Sequence, residues 1–408
     1  MSTMRLPELL SPAGNLQKMK AALHFGADAV YCAGKQFGMR AAGENFSMAD
    51  LKEGIGYAHR LKKQVYVTVN VMPREDQLRD LEEYLESLAS LSPDGVIVAD
   101  LGVFDLCRKR MPMIPIHIST QTATVNSAAC NRWYEMGARR VVLARELSLR
   151  EIEEIRKHIP DDLELEVFVH GSMCVSFSGR CMLSEYYTGR DANRGACTQP
   201  CRWSYRFYEE KRPDDVLSCE IYPEGSYIFG SKDLCMIEHI RELILAGIDS
   251  FKIEGRMKSS YYAALVTNAY RIAMERGIDN SCSIDDLMRE LNSVSHREYC
   301  TGYFFDGEMK QSNFATETGY IGEKSFLATV LSDSDEKGYA LCRQNNKFFA
   351  GDACEFVTPG KCGQIVNILE MRDVDFAKIE ACPHPQMEFY IKTEKTLLAG
   401  DLIRKNFV

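Results

Sequence analysis

At 408 residues, 45% apolar and 26% charged, the chain has the composition of an ordinary globular protein long enough for two domains. No apolar run approaches a membrane span, and the N-terminus MSTMRLPELL has no stretch of signal-peptide length, so export and membrane insertion are not expected. The formal net charge of -9 gives the body no bulk attraction for a polyanion, so nucleic-acid binding would need a local basic patch.

Short apolar strands alternate with helical stretches from the start. Leu9–Leu10 runs into SPAGN, and Leu16 to Phe25 has helical spacing. Ala29–Cys32 is the next strand, followed by a helix from Met48 to Lys62 with Ser47 as its N-cap. Val65–Val69, Gly95–Ala99, Ile114–Ser119, Arg140–Ala144 and Leu163–Val169 continue the strand series. Helices are predicted between them at Glu75–Leu91, Asn126–Met136 and Ser148–His158. Leu234 to Ala246 reads as a helix and Ser250–Ile253 as an eighth strand. Eight units of near-continuous Val/Ile/Leu strands predict a parallel sheet buried on both faces and closed into a (β/α)₈ TIM-like barrel. SPAGN after the first strand is not a GxGxxG fingerprint, which argues against an open dinucleotide-binding sheet.

On this reading residues 1–275 form the barrel, with an insertion at 171–233 after the seventh strand, and 276–317 are a connector. From Thr318 onward, short alternating strands with Gly, Asp and Pro turns predict a small C-terminal all-β barrel domain over 318–408. Barrel active sites lie at the carboxyl ends of the strands. The polar residues there are Asn70, Asp100, Gln121, Arg145, Glu146, His170, Glu254 and Arg256.

The insertion holds the strongest chemical signal. Cys174, Cys181, Cys197 and Cys201 stand at gaps of seven, sixteen and four among glycines, arginines and aromatics. Four thiolates are a soft ligand set suited to an iron–sulfur cluster or to zinc; the gaps favour iron–sulfur, because structural zinc uses tighter CxxC knuckles. Cys219 and Cys235 are substitutes should one of the four not ligate. The chain has fifteen cysteines but no export signal, which points to a reducing, cytoplasmic setting. Cys32, Cys107, Cys130, Cys342 and Cys382 are then expected as buried thiols. From Gly171 to Tyr208, Arg180, Arg190, Arg194, Arg202 and Arg206 outweigh Glu185 and Asp191, a local charge of +3. Trp203, Tyr205 and Phe207 alternate with arginines and are candidates for stacking on bases. No HExxH or GxSxG motif supports protease chemistry, and a Cys174–His170 pair is less economical than a metal site.

The stretches Glu166-Val-Phe-Val-His170-Gly-Ser-Met-Cys174 and Ser178-Gly-Arg-Cys181-Met-Leu-Ser184 closely resemble the signature of the collagenase-like peptidase family of unknown catalytic type. ELLSPAGN, GADAVYCAG, GRDANRGAC with CRW, SKDL and FKIEGRMKS extend the resemblance over almost the whole chain. It implies an oxygen-independent hydroxylase whose iron–sulfur cluster is held by cysteines. Members act on tRNA wobble uridine, ribosomal RNA cytidine or the ubiquinone ring, and the RNA-acting ones depend on prephenate. The chain is most similar to the tRNA branch, which carries two cysteines in the GAC…PCRW segment and makes 5-hydroxyuridine.

By motif match Cys174, Cys181, Cys197 and Cys201 would ligate a four-iron four-sulfur cluster. His170, Glu254 and Arg256 would form the catalytic group, and Arg145, Arg180 and Arg194 would hold prephenate. The expected partner is a tRNA anticodon loop, with no membrane, no metal other than iron, and an accessory or paralogous protein as a further partner. A collagenase-like peptidase and a non-catalytic, zinc-stabilised RNA-binding protein are the alternatives.

Overall fold

The computed structural model describes residues 6–39, 43–174, 176–203, 231–275, 282–305, 321–347 and 349–406. They group into two compact units, one within residues 1–20, 27–258 and 296–320, the other within 21–26, 259–295 and 321–408. Along the chain the elements are β1 (Glu8–Pro12), α1 (Leu16–His24), β2 (Ala29–Ala33), α2 (Met48–Arg60), β3 (Gln64–Val69), α3 (Leu78–Ala89), β4 (Gly95–Val98) and α4 (Leu101–Arg110). There follow β5 (Ile116–Ile118), α5 (Ser127–Glu135), β6 (Arg140–Val142), α6 (Leu149–Lys157), β7 (Glu164–Ser172), α7 (Leu183–Thr188), β8 (Asp233–Cys235) and α8 (Ile240–Leu245). Next come β9 (Ser250–Ile253), α9 (Ser260–Glu275), α10 (Ile284–Asn292) and β10 (Tyr299–Cys300).

In the first unit β1 to β7 pair in parallel, each with its neighbour, and β9 pairs with both β1 and β7. Eight parallel strands therefore close into a barrel, as the alternation predicts. The strands are buried almost throughout, so Val, Ile, Ala and Leu occupy both of their faces. Helix starts follow their caps. Ser47 is the N-cap of α2, as expected, and forms a capping box with Asp50, while Asp100 caps α4 by accepting from the Val103 amide at 3.0 Å.

One element differs from expectation. Helical spacing from Leu234 to Ala246 predicts a single helix, but its first residues form β8, which pairs antiparallel with the end of β7 and in parallel with β10. Arg297 donates to the Asp233 carboxylate through Nη2 at 2.9 Å and Nε at 3.2 Å, fixing the strand and delaying α8 until Ile240. Tertiary pairing overrides local periodicity there.

The barrel interior is not wholly apolar. Buried Arg140 meets Glu8 at 2.7 Å, Glu164 at 2.7 Å and Glu166 at 3.0 Å, while Lys252 meets Glu166 at 2.7 Å. Burial pushes the Glu166 carboxyl up, but Lys252 and Arg140 outweigh it and hold it below the usual carboxylate range.

In the second unit β11 (Lys324–Val330), β12 (Tyr339–Gln344), β13 (Ala353–Val357), β14 (Gln364–Arg372), β15 (Lys378–Ile379), β16 (Glu388–Thr393) and β17 (Leu402–Asn406) are antiparallel. The order β13-β17-β11-β12-β16-β14 closes through a β13–β14 pairing, with β15 on the rim. The expected small β-barrel is present. Its core includes Leu327, Cys342, Phe389 and Ile391, at the inward positions of alternating strands. Arg404 is fully buried in this unit and is held by Glu290 at 2.7 Å and Glu355 at 2.8 Å. Cys282 and Cys362 are disulfide-bonded, a pairing that the expectation of reduced thiols does not anticipate. Cys32, Cys107, Cys130, Cys342 and Cys382 are buried free thiols, as expected. No helix among the described residues is long and apolar enough to cross a membrane.

Candidate active site

At the carboxyl ends of the barrel strands lies a cavity of about 160 Å³. Its floor and walls come from strand ends: Tyr31 on β2, Thr68 on β3, Asn70 just after it, Gln121 after β5, Arg145 after β6, Phe168 on β7, and Lys252, Glu254 and Arg256 on or after β9. Its remaining wall is the cysteine insertion. Cys174, Cys181, Cys197 and Cys201 all line it, with Met173, Phe177, Gly179 and Arg202. Thiols spread over 28 residues of sequence therefore share one cavity.

Local bonds explain how the insertion is folded. Gly179 has φ +75° and packs against Gln121, where a Cβ would come within 3.1 Å of the Gln121 Cβ and carbonyl oxygen. Side chain and backbone of the barrel wall thus seat the loop between Cys174 and Cys181. The Ser184 and Thr198 hydroxyls lie 3.1 Å apart, and the Thr198 amide donates to Ser184 Oγ at 3.1 Å, tying α7 to the arm carrying Cys197. The Gln199 amide donates to Cys197 Sγ at 3.4 Å. A 3₁₀ turn over Pro200–Arg202 then sets Cys201 and Arg202.

The four thiols are not disulfide-bonded; Cys174 is exposed and the others are partly buried. Burial raises the Cys201 thiol; Arg202 lowers it, and the neighbouring Cys174, Cys197 and Cys181 raise it further. Four soft donors close enough to feel one another's charge suit a thiolate-bound metal group. Among the described residues, however, no three His, Cys, Asp or Glu side chains are drawn together at coordination geometry.

Cationic groups line the same cavity. Arg145 Nη1 donates to the Ser172 carbonyl at 2.7 Å, and its guanidinium lies 4.0 Å from the centre of the Phe168 ring, while Nε has no hydrogen-bond partner. Arg256 is buried and donates to Thr68 Oγ1 at 3.1 Å. Lys252 Nζ sits 4.5 Å over the Tyr31 ring, and the Tyr31 hydroxyl donates to Glu254 Oε2 at 3.2 Å. Among the described residues four cations, Arg145, Arg202, Lys252 and Arg256, line the cavity with one carboxylate, Glu254. An anionic ligand matches that balance.

The structure sorts the expected residues. Glu254, Arg256, Arg145, Asn70, Gln121 and the four cysteines share the cavity. His170 does not line it. A register shift between Phe168 and His170 turns the strand, so Phe168 faces the cavity while His170 is buried with its ring 5.4 Å from that of Tyr299. Burial lowers its imidazolium to about 3, which leaves the ring neutral. Arg180 and Arg194 are exposed and outside the cavity, Arg194 donating to Gln77 at 3.2 Å. Asp100 and Glu146 do not line it either. Cys235 is buried on β8, away from the other thiols' cavity, and Cys219, Tyr205, Arg206 and Phe207 lie outside the described residues. Sequence reasoning misses Lys252, Tyr31 and Thr68. A lysine within the otherwise apolar strand Ser250–Ile253 was the available signal for the first.

Residues 14–313 match the model of peptidase family U32, and residues 323–404 match that of the peptidase family U32 C-terminal domain. The chain belongs to peptidase family U32. It is 37% identical to tRNA hydroxylation protein P1 of Bacillus subtilis, over 98% of this chain and 94% of that one. It is 42% identical to tRNA hydroxylation protein P of Helicobacter pylori (strain J99), over 86% of this chain and 81% of that one. The 23S rRNA 5-hydroxycytidine C2501 synthase of Escherichia coli is 36% identical over 67% of this chain and 40% of its own length. Within this U32 chain the cysteine insertion and the barrel mouth are thus parts of one site.

Proposed function

We propose that this U32 chain is an RNA-modifying enzyme that converts the wobble uridine of tRNA to 5-hydroxyuridine without molecular oxygen, using prephenate as co-substrate. The observation that carries the reading is the convergence of the four insertion cysteines with Arg145, Arg202 and Arg256 on one cavity. The names of the tRNA-hydroxylating relatives support it.

Replacing C5–H by C5–OH takes two electrons from the pyrimidine and adds one oxygen. Prephenate would be both oxygen donor and two-electron acceptor, giving up its ring hydroxyl and taking hydrogen in its place, because side chains alone do neither. A four-iron four-sulfur cluster held by Cys174, Cys181, Cys197 and Cys201 would supply the redox centre. The chain's own residues do the rest. Arg145, oriented by Ser172 and Phe168, and Arg256, oriented by Thr68, grip the two carboxylates of prephenate. Lys252 adds positive charge at the floor, where Glu166 fixes its position. Glu254, held by Tyr31, is the one carboxylate among the described residues that line the cavity and the group placed to accept the C5 proton. An anticodon-loop base is already unpaired and enters at little unstacking cost. Exposed Tyr186 and Trp203 flank Tyr187, with neighbouring ring centres 5.1 and 6.2 Å apart, and offer stacking surface for the flanking nucleotides.

Iron and acid-labile sulfide in anaerobically purified protein test the reading, beside a Cys174→Ala/Cys181→Ala variant. About four of each per chain, lost in the variant, is expected. Transfer RNA from cells lacking the protein should lose 5-hydroxyuridine. Zinc or no metal in both proteins, with tRNA nucleosides unchanged, would overturn it.

A further inference from the structure

Gln121 carries a buried amide nitrogen in the cavity that has no hydrogen-bond partner among the described residues. Gln121 follows β5 in a 3₁₀ turn and is 5% exposed. Its Oε1 accepts from Asn70 Nδ2 at 2.5 Å and from Ser119 Oγ at 3.2 Å. Asn70 is itself fixed, because its Oδ1 accepts from the Met39 amide at 3.1 Å. The relay runs from a backbone N–H through Asn70 to Gln121 and decides which end of the Gln121 amide is oxygen. What remains is the Nε2 group, a pure donor, buried and without a hydrogen-bond partner. A buried donor left unsatisfied is costly, so a group fixed this firmly is built to meet an acceptor.

Position narrows the acceptor. Gly179, between Cys174 and Cys181, packs on the Cβ and backbone carbonyl of Gln121, so the residue that carries the amide stands against the cysteine loop, and both line the cavity. The neighbouring cations already provide for carboxylates. A neutral, singly oriented donor suits a neutral carbonyl.

We infer that Gln121 Nε2 donates to O4 of the target uracil and is the residue that selects uridine over cytidine. This rests on the hydroxylase reading above. O4 is bonded to C4, the ring atom next to the C5 that is hydroxylated, so the contact also registers the reacting carbon. In cytosine the same position carries an amino group, itself a donor. Two donors would face each other in a buried site, and sites built on one hydrogen-bonding pattern reject its reverse strongly.

Gln121→Glu is the informative variant, because it keeps the shape and still accepts from Asn70 and Ser119 while presenting an acceptor in place of the donor. Anticodon stem-loops with uridine or cytidine at the wobble position would be compared in competition binding and in 5-hydroxylation read by mass spectrometry. The wild type should prefer uridine by about 10-fold or more. Gln121→Glu should reverse or erase that preference, and Gln121→Leu should erase it. Since a ratio is read, partial loss of folded protein leaves the result unmoved. An unchanged uridine-to-cytidine ratio in both variants would overturn the assignment, leaving Gln121 as a support for the fold or the co-substrate. A wild-type protein that carries its cluster yet binds and modifies neither RNA would overturn the hydroxylase reading itself, and this assignment with it.

Discussion

His170 shows how one buried side chain converts position into pH dependence. Its ring is fully enclosed, and burial lowers its imidazolium to about 3, although Asp233 pulls in the other direction. The unfolded chain takes up this proton near the ordinary histidine value of about 6.5. Between those two values the unfolded state therefore binds a proton that the folded state refuses. The stability that depends on a neutral His170 is complete above about pH 6.5 and is lost as pH falls towards 3, with a slope of up to about 1.4 kcal/mol per unit. His170→Gln should flatten the fall in stability between pH 7 and 5, measured as urea unfolding midpoints at several pH values. Equal slopes in the two proteins would show that the ring takes up its proton in the native state as it does in the unfolded chain. The same titration bears on chemistry, because a ring neutral throughout the working range contributes no acidic limb to a pH–rate profile.

At the scale of elements, β7 does more than complete the barrel. Its register shift after Phe168 and the φ of +103° at Gly171 turn the chain out of the strand and into the cysteine insertion, and the Glu254 backbone packs against Gly171 where a Cβ would stand. Gly171→Ala should therefore cost roughly 2 kcal/mol or more and push Glu254 out of place, read as a lowered unfolding midpoint together with reduced hydroxylation. A variant with unchanged stability and activity would show that the turn relaxes freely. That strand also marks the limit of what sequence can tell. The count of apolar strands revealed the barrel because burial on both faces leaves long runs of Val and Ile, and thiol spacing revealed the metal-ligand candidates because little else requires it. The register shift left no such trace. At the end of the expected seventh strand His170 reads as a mouth residue, but the shift puts Phe168 rather than His170 in the cavity. Asp100 looked like one too, but the α4 amides claim its side chain. The free donor of Gln121 depends on Asn70, 51 positions away, and only the closed sheet brings the two together.

For the whole molecule the controlling quantity is the contrast between an overall charge of -9 and the local +3 of Gly171–Tyr208, the cysteine-bearing first part of the insertion. An acidic body repels RNA, so productive encounter has to be local. Arg180, Arg190 and Arg194 are exposed on the insertion and outside the cavity, within reach of phosphates, whereas Arg145 and Arg256 line the cavity. Each phosphate contact on a single-stranded loop releases about 0.7 counterion, so three contacts contribute roughly 2 to the slope of log affinity against log salt. The triple variant Arg180→Gln/Arg190→Gln/Arg194→Gln should therefore bind tRNA more weakly at low salt, with that slope reduced by roughly 2. Its iron content and its affinity for prephenate should stay as in the wild type, because none of the three side chains lines the cavity. A slope that does not change would place the RNA on another face and separate the arginines of Gly171–Tyr208 from RNA recognition. A changed iron content would instead mean that these arginines hold the cysteine loops in shape, and the charge contrast would then serve the cluster rather than the RNA.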